Sequence, residues 1–338
     1  MIKSKLIIFI AIVATMILGL AVGTTQSYLS DPETSTNNVV RVINEWYDFA
    51  WHWRKPITIN NGGGALTNYQ VKVVINTQEL ISAGKMQSNG NDIRFTTSGG
   101  VTSIDYWIES GINTASTVIW VEVPSIPAGN SIIYIYYGNA SAAAASNASN
   151  TFLFFDDFSG TLSKWTTIAG TWAINAGRLT TTAGTGRSAI YGTGTSFGDA
   201  IIEFKSTAPS TTADHNIGSY QRGDGTLGNT NTWLRFYWDT MAEDWKLKDG
   251  ATVYANAPGD SLEGVWRNLK IVMVGATQQL YVDGIMKIDY TGASGTNPGR
   301  VGVLSYAASY LAGKYWDDYR VRKYASPEPT ISDIGAEE

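Results

Sequence analysis

The chain has no cysteine, only two histidines, and no cluster of lysine and arginine longer than Arg54-Lys55. Each absence removes a class of function. Without cysteine there is no disulfide, thiol nucleophile or thiolate metal ligand, so stability must come from packed cores alone. His52 and His215 lie in separate segments with no G-x-S-x-G elbow beside either, so no Ser-His-Asp arrangement is marked. A net charge of −5 without a basic stripe argues against nucleic acid as a partner. Gly62-Gly63-Gly64 lacks the Lys-Ser/Thr that follows in a phosphate-binding loop and reads as a hairpin turn.

Long apolar runs are also absent, with one exception. Leu6 to Gly23 is uncharged and follows Lys3 and Lys5, the pattern that export machinery reads, with the lysines on the cytoplasmic side. As a helix it would extend about 27 Å at about 1.5 Å per residue, close to the hydrocarbon core of a bilayer. The small residues Ala21-Val22-Gly23 would also suit signal cleavage. Residues 1–30 are therefore expected to be a signal, a membrane anchor or a pilin-like helix, which places the rest of the chain outside the cell, at its surface. Residues 31–50 read as a polar stalk that ends in an aromatic-rich stretch. There Trp46, Tyr47, Phe49, Trp51 and Trp53 suit either a membrane-interface belt or, the preferred reading, the edge of a first sheet.

What the body does contain is 35 glycines, 12 tryptophans and 18 tyrosines, with 16% charged residues. This is the composition of an extracellular β-protein, aromatic-rich strands joined by Gly, Asn and Ser turns. KPITIN, YQVKVVIN, DIRFTT, DYWIES, STVIWVEVPSI and SIIYIYYGN alternate at short spacing, interrupted only by a short helix signal in Thr77–Met86. They predict one antiparallel sandwich over 51–141. SAAAASNASN marks a linker over 142–151, and about eleven further short strands predict a two-sheet jelly roll over 152–325. Asp283-Gly284 inside LYVDGIMKIDY signals a type I′ hairpin. Residues 326–338 read as an acidic tail, ordered only near its start. The fold class expected is all-β, two antiparallel β-sandwich domains after a single N-terminal hydrophobic helix.

WRKPITI, LTNYQVKVVINT, LISAGKM, GNDIRFT, DYWIES, NTASTVIWVEVPSIPAG and IYIYYGN, followed by TFLFFDDFSG, resemble the DUF2341 domain of archaeal and bacterial surface proteins. That family has no defined function, and the resemblance implies a binding or adhesive role. FDDFSGTLSKWTTIAGTWAINAGRL, LYVDG and YWDDYRVRKYASPEPT resemble a concanavalin A-like or LamG-like lectin/glucanase jelly roll, a frequent companion of that domain. More weakly, LIIFIAIVATMILGLAVGTTQSYL is similar to the hydrophobic helix of archaellins and type IV pilin-like subunits, although Lys5 is followed by Leu6 where those precursors have glycine.

Glucanases of the jelly-roll class set two carboxylates on one strand face, and the E-x-D-x-E type of run that would do this is missing. Glu203 is followed by Lys205, and the adjacent Glu243-Asp244 would point to opposite faces. A non-catalytic reading follows. Strand TWLRFYWD places Trp233, Arg235, Tyr237 and Asp239 on one face, with Leu234, Phe236 and Trp238 turned to the core. Flat aromatic surface beside charged hydrogen-bonding groups suits a sugar ring, and Gln221, Arg222, Tyr281 and Asp283 could extend the platform. Asp156-Asp157 and Asp317-Asp318 lie on first and last strands expected to be neighbours, where they would favour structural Ca²⁺. No cofactor is otherwise required. Asn139 and Asn147 head N-x-S sequons. The function expected is glycan or surface-polymer binding in adhesion, with membrane contact through the N-terminal helix. Self-assembly into a pilin-like filament or sheath is the competing structural reading, and a glycan hydrolase with an unmarked site the third.

Overall fold

The computed structural model describes residues 46–183, 186–210, 215–224, 234–293, 297–307 and 313–338. The segment Leu6–Gly23 and most of the stalk lie outside the described residues. Among the described residues no helix is long and apolar enough to cross a membrane.

The first seven strands are β1 (Trp53–Asn61), β2 (Leu66–Ile75), β3 (Arg94–Thr97), β4 (Ser103–Ile104), β5 (Tyr106–Ser110), β6 (Thr117–Ile126) and β7 (Gly129–Tyr137). The next eight are β8 (Phe154–Asp156), β9 (Trp165–Ala169), β10 (Thr171–Ile174), β11 (Leu179–Ala183), β12 (Gly186–Gly192), β13 (Ala200–Thr207), β14 (His215–Gly223) and β15 (Leu234–Asp239). The last eight are β16 (Asp244–Asp249), β17 (Thr252–Pro258), β18 (Arg267–Val274), β19 (Thr277–Val282), β20 (Ile285–Thr291), β21 (Arg300–Ala307), β22 (Tyr315–Lys323) and β23 (Thr330–Ile334). All the strands pair antiparallel, as the short turn-separated alternations predict.

A five-stranded sheet (β23-β1-β7-β3-β4) and a three-stranded one (β2-β6-β5) form the first sandwich. Alternate residues such as Ile57, Ile59, Val71, Val73, Ile119, Val121, Ile133 and Ile135 meet between them in one core. Thr77–Ser82 is helical (α1), capped by the Asn76 side chain accepting from the Glu79 N–H at 3.2 Å. The aromatic stretch belongs to this sandwich: Trp51 is buried with its indole N–H 2.6 Å from the Asp92 carbonyl, and Trp46 stacks edge-on to Tyr136.

The jelly roll has an eight-stranded sheet, whose main path is β10-β11-β22-β13-β18-β19-β20 with β8 paired on β22, and a seven-stranded sheet, β17-β16-β15-β14-β21-β12-β9. A single core fills the space between them, drawing Ile202, Phe204, Leu269 and Trp316 from one sheet and Ile190, Phe236, Trp245 and Val303 from the other. Asp283 and Gly284 both take positive φ (50° and 81°) between β19 and β20, the I′ geometry that the dipeptide foretells.

Two stretches differ from the sequence reading. The acidic C-terminus is part of the first sandwich: β23 is the edge strand beside β1, with Ile57 opposite Ile334. Ile331 and Ile334, set opposite Ile59 and Ile57 across a register irregularity, supply apolar contacts to that core, while Glu337 pairs with Lys85 and Glu338 lies 2.6 Å from Arg54. A strand edge needs a partner and the tail supplies one. The jelly roll is thus inserted between the seventh and eighth strands of the first sandwich. The small-residue stretch after β7 ends in a helical turn, Ala148–Thr151 (α2), capped by Asn147, with Ala148 and Thr151 buried.

The two sandwiches meet through Trp107, Trp120, Phe152 and Phe155. Beside these rings Arg320 on β22 lies 2.6 Å from Glu109 and 2.7 Å from Glu203, and Arg322 lies 2.7 Å from Glu328. Arg320 and Arg322 each sit 5.1 Å from the centroid of the Trp120 ring system. Burial disfavours the Glu203 carboxylate, yet the guanidiniums of Arg322 and Arg320 overcome that and hold it down to about 2.

Candidate functional site

The outward face of the seven-stranded sheet carries the most chemistry that no neighbouring element absorbs. Register builds it in three rows. Opposite Asp239 of β15 stand Asp244 of β16 and Asn216 of β14, and beyond Asn216 come Tyr306 of β21 and Arg187 of β12. The next row runs Asn256, Lys246, Tyr237, Gly218, Leu304, Ala189. The third runs Lys248, Arg235, Tyr220, Gly302, Tyr191.

Although they face outward, Tyr220 (0%), Tyr237 (5%) and Tyr191 (8%) have little exposure, so the middle of this face lies beneath its neighbours' side chains. Ala189, Tyr191 and Tyr220 form a small apolar cluster there, joined by Ile168 and Leu304. This packing needs glycine at Gly302, where a Cβ would come 2.1 Å from the Ile190 carbonyl oxygen and 2.7 Å from the Tyr220 hydroxyl. Around it Tyr306, Arg235, Lys246, Lys248, Asn216, Asp239 and Arg300 are half-buried and Arg187 is exposed.

Polar partners are shared unevenly. Lys246 Nζ lies 2.6 Å from Asp239 and 3.4 Å from Asp244, whose other oxygen accepts from Asn256 Nδ2 at 3.0 Å. Arg235 donates to the Gly250 carbonyl at 2.8 Å, and Arg300 lies 4.3 Å from the Tyr191 ring centroid. Asn216 Oδ1 is buried with no hydrogen-bond partner. Burial pulls the Lys248 ammonium below the usual lysine range, and the nearby charges of Arg235, Lys246 and Arg187 add to that effect.

Of the predicted platform, Arg235, Tyr237 and Asp239 share this face, while Leu234, Phe236 and Trp238 fill the core as the alternation requires. Trp233 lies outside the described residues. Gln221 does not extend the site: it stands opposite Leu234, hence on the core side, and is fully buried. Tyr281 belongs to the other sheet, beside Lys270 of β18, and its ring lies 4.8 Å from the Lys270 ammonium. Asp283 caps the neighbouring turn, accepting from the Asn268 N–H at 2.9 Å, and Arg222 ties the end of β14 to Asp199 at 3.0 Å and to Gly275. Sequence nearness reports neither the face on which Gln221 lies nor the sheet that Tyr281 and Asp283 join.

The acidic pairs are neighbours, since β8 pairs with β22 and Asp156 stands opposite Tyr319. Their carboxylates serve other partners. Asp156 accepts from the Trp165 indole at 2.6 Å and the Phe158 N–H at 3.0 Å; Asp157 accepts from Ser159. Asp318 pairs with Lys205 at 2.5 Å, and burial with the adjacent Asp318 pushes Asp317 up to about 6. Among the described residues no group of three or more histidine, cysteine or acidic side chains is placed to hold a metal ion. Of the two sequons, Asn139 is 9% exposed with its Oδ1 taken by Ser141, whereas Asn147 is exposed. His52 is exposed and His215 buried.

Among solved structures, a carbohydrate-binding module (CBM66) from Bacillus subtilis aligns with a TM-score of 0.40 at 19% identity, covering 47% of this chain and 96% of the other. A galectin-like protein of unknown function from the same organism aligns at 0.42 and 9% identity, over 51% and 96%. A β-glucanase from Bacillus licheniformis aligns at 0.38 and 11% identity, over 51% and 98%. An uncharacterized protein of Methanocaldococcus jannaschii is 28% identical over 163 residues, which is 44% of this chain and 29% of that protein. The chain thus spans less than a third of that relative's length. The family model described as "Domain of unknown function (DUF2341)" matches residues 89–172, a stretch that includes Trp107, Trp120, Phe152 and Phe155 of the contact between the sandwiches.

Proposed function

We propose that the outward face of the seven-stranded sheet binds a saccharide, and that the protein is a non-catalytic binding protein displayed at the cell surface. One observation carries the reading. The half-buried Tyr306 ring stands among half-buried groups that hydrogen-bond in both senses, Arg235 and Lys246 donating and Asp239 accepting, with Asn216 Oδ1 left without a partner just beneath. Sugar rings offer an apolar C–H face and a perimeter of hydroxyls, and this arrangement answers both. Asp239 and Asp244, the acidic pair on the face, are both engaged by Lys246, which suits binding rather than acid–base work.

A glycan array with the purified protein tests the reading. Tyr306→Ala should weaken a retained saccharide about tenfold, the value of one aromatic contact of roughly 1–1.5 kcal/mol. Tyr281→Ala, on the opposite sheet, should leave it unchanged. Retention of no saccharide sinks the proposal. Released reducing ends from laminarin or xylan would overturn the non-catalytic part. Display at the surface is tested by the mature N-terminal residue of the native protein: Met1 marks a retained anchor, Thr24 a cleaved signal and Leu6 pilin-type processing, and a mature chain recovered from the cytoplasm removes the display claim.

A further inference from the structure

On the saccharide reading above, we infer that the ligand is acidic, a glycan whose units carry carboxylate or sulfate groups. The charge pattern of the face points there. Five cations, Arg187, Arg235, Lys246, Lys248 and Arg300, come to one side of one sheet in a protein whose net charge is −5. The acids in reach are fewer and mostly engaged. Asp239 and Asp244 serve Lys246, Asp249 lies at the Arg235 end of β16, and Asp224 follows the end of β14 near Tyr220.

Arg187 and Lys248 are different from the rest. Among the described residues neither makes an ion pair or a side-chain hydrogen bond, and Lys248 is half-buried beside Arg235, its register partner. Lys248 thus lies beside a further cation, Arg235, with Arg187 bordering the same face from β12, and the acids of the face do not match its cations in number. Such an arrangement raises the energy of the empty site, and an anion that enters it regains Coulomb energy in partly desolvated surroundings. Burial and the neighbouring cations lower the Lys248 ammonium's proton affinity, the electrostatic signature of the same imbalance. A carboxylate on a sugar ring beside Tyr306 would reach toward Lys248 and Arg235, while the ring hydroxyls meet Asn216 and Asp239. A neutral sugar would leave the crowded cations as they are.

The test holds the sugar constant and changes the charge. Oligogalacturonate and its methyl-esterified form are titrated against the full chain, alongside alginate, carrageenan, laminarin and xylan, at low and at physiological salt. The inference expects the free acids to bind at least about tenfold more tightly than the ester or the neutral glucans, which is the low end for a hydrogen bond to a charged group. Binding should also weaken as salt rises. Alginate against carrageenan separates carboxylate from sulfate. Lys248→Gln should lose about tenfold, whereas Lys72→Gln, an equal charge change on an exposed position of the first sandwich, should lose nothing. Tight, salt-independent binding of laminarin or xylan overturns the inference and leaves the saccharide reading standing. No binding to any member overturns both, and equal losses in the Lys248 and Lys72 variants reduce the attraction to overall charge and overturn the site.

Discussion

On the outer face of the eight-stranded sheet, Arg320 and Arg322 lie against three glutamates, Glu109, Glu203 and Glu328, beneath Trp107, Trp120 and Phe152. On the outer face of the seven-stranded sheet, Arg187, Arg235 and Lys248 lie beside Tyr220, Tyr191 and Tyr306 with far less opposite charge. The residue vocabulary of the two faces is nearly the same. What separates them is charge balance: the first face is paired, ring-covered and closed by the other sandwich, whereas on the second Arg187 and Lys248 have no acid of their own among the described residues. A paired arginine-aromatic cluster is expected to be costly to break and silent to ligands; an unpaired one is expected to be cheap to alter and responsive to them.

The largest effect should follow from breaking the balanced face. Arg320→Ala removes the cation shared by half-buried Glu109 and by Glu203, which keeps Arg322, and should cost about 3 kcal/mol of stability, read by urea unfolding. Close to it in size, deleting residues 330–338 removes the edge strand from β1 with Ile331 and Ile334. It should cost roughly 2–4 kcal/mol by the apolar area lost and appear as an earlier unfolding transition. Loss of the jelly roll before the first sandwich would contradict that assignment of β23.

Acid should dismantle the same face without mutation. Glu203 is held at about 2 in the folded protein, below the ordinary carboxylate value of an unfolded chain, so its contribution is fully present above about pH 4.5. It is lost as the pH falls from there toward 2. Glu328, half-buried and held below the ordinary value by Arg322, changes in the same direction. Stability measured by thermal unfolding should therefore decline across that window by a few kcal/mol. In Arg320→Ala the decline should be shallower, because the field that lowers Glu203 is partly gone.

How much of this was legible before the fold was known follows a physical line. Alternation is local, so the strands, the core side of TWLRFYWD, the Asp283-Gly284 turn and the two-sandwich class could be read from the chain. Partnership across strands is not local. That Tyr281 lies in the other sheet, that Gln221 faces inward opposite Leu234, and that Arg187, Tyr191 and Tyr306 join Arg235 and Tyr237 all depend on register between segments that can lie more than about a hundred residues apart. The C-terminal strand was missed for a related reason. Pro327, Pro329 and four acids within 326–338 resemble a free tail, and only the unpaired edge of β1 with Arg54 and Lys85 beside it makes those charges useful. Asp156 shows the converse: its neighbour strand was foreseen, but the Trp165 indole that takes its carboxylate was not.

The smallest expected effect is the one that sharpens the comparison most. Lys248→Gln removes a cation that has no acid of its own and is repelled by Arg235 and Arg187, so the energy lost with its stem's packing should be returned by relief of that repulsion. Stability in low salt should shift by no more than about 0.5 kcal/mol, with stabilisation the expected sign, and the shift should shrink as added salt screens the neighbouring charges. A loss of about 2 kcal/mol or more would mean that Lys248 is paired in solution after all, and would place this face with the seam between the sandwiches rather than opposite it. A near-zero change, set beside the larger loss expected for Arg320→Ala, would mean that the two arginine-rich faces of one jelly roll are held for different ends, one for cohesion and one for an outside anion.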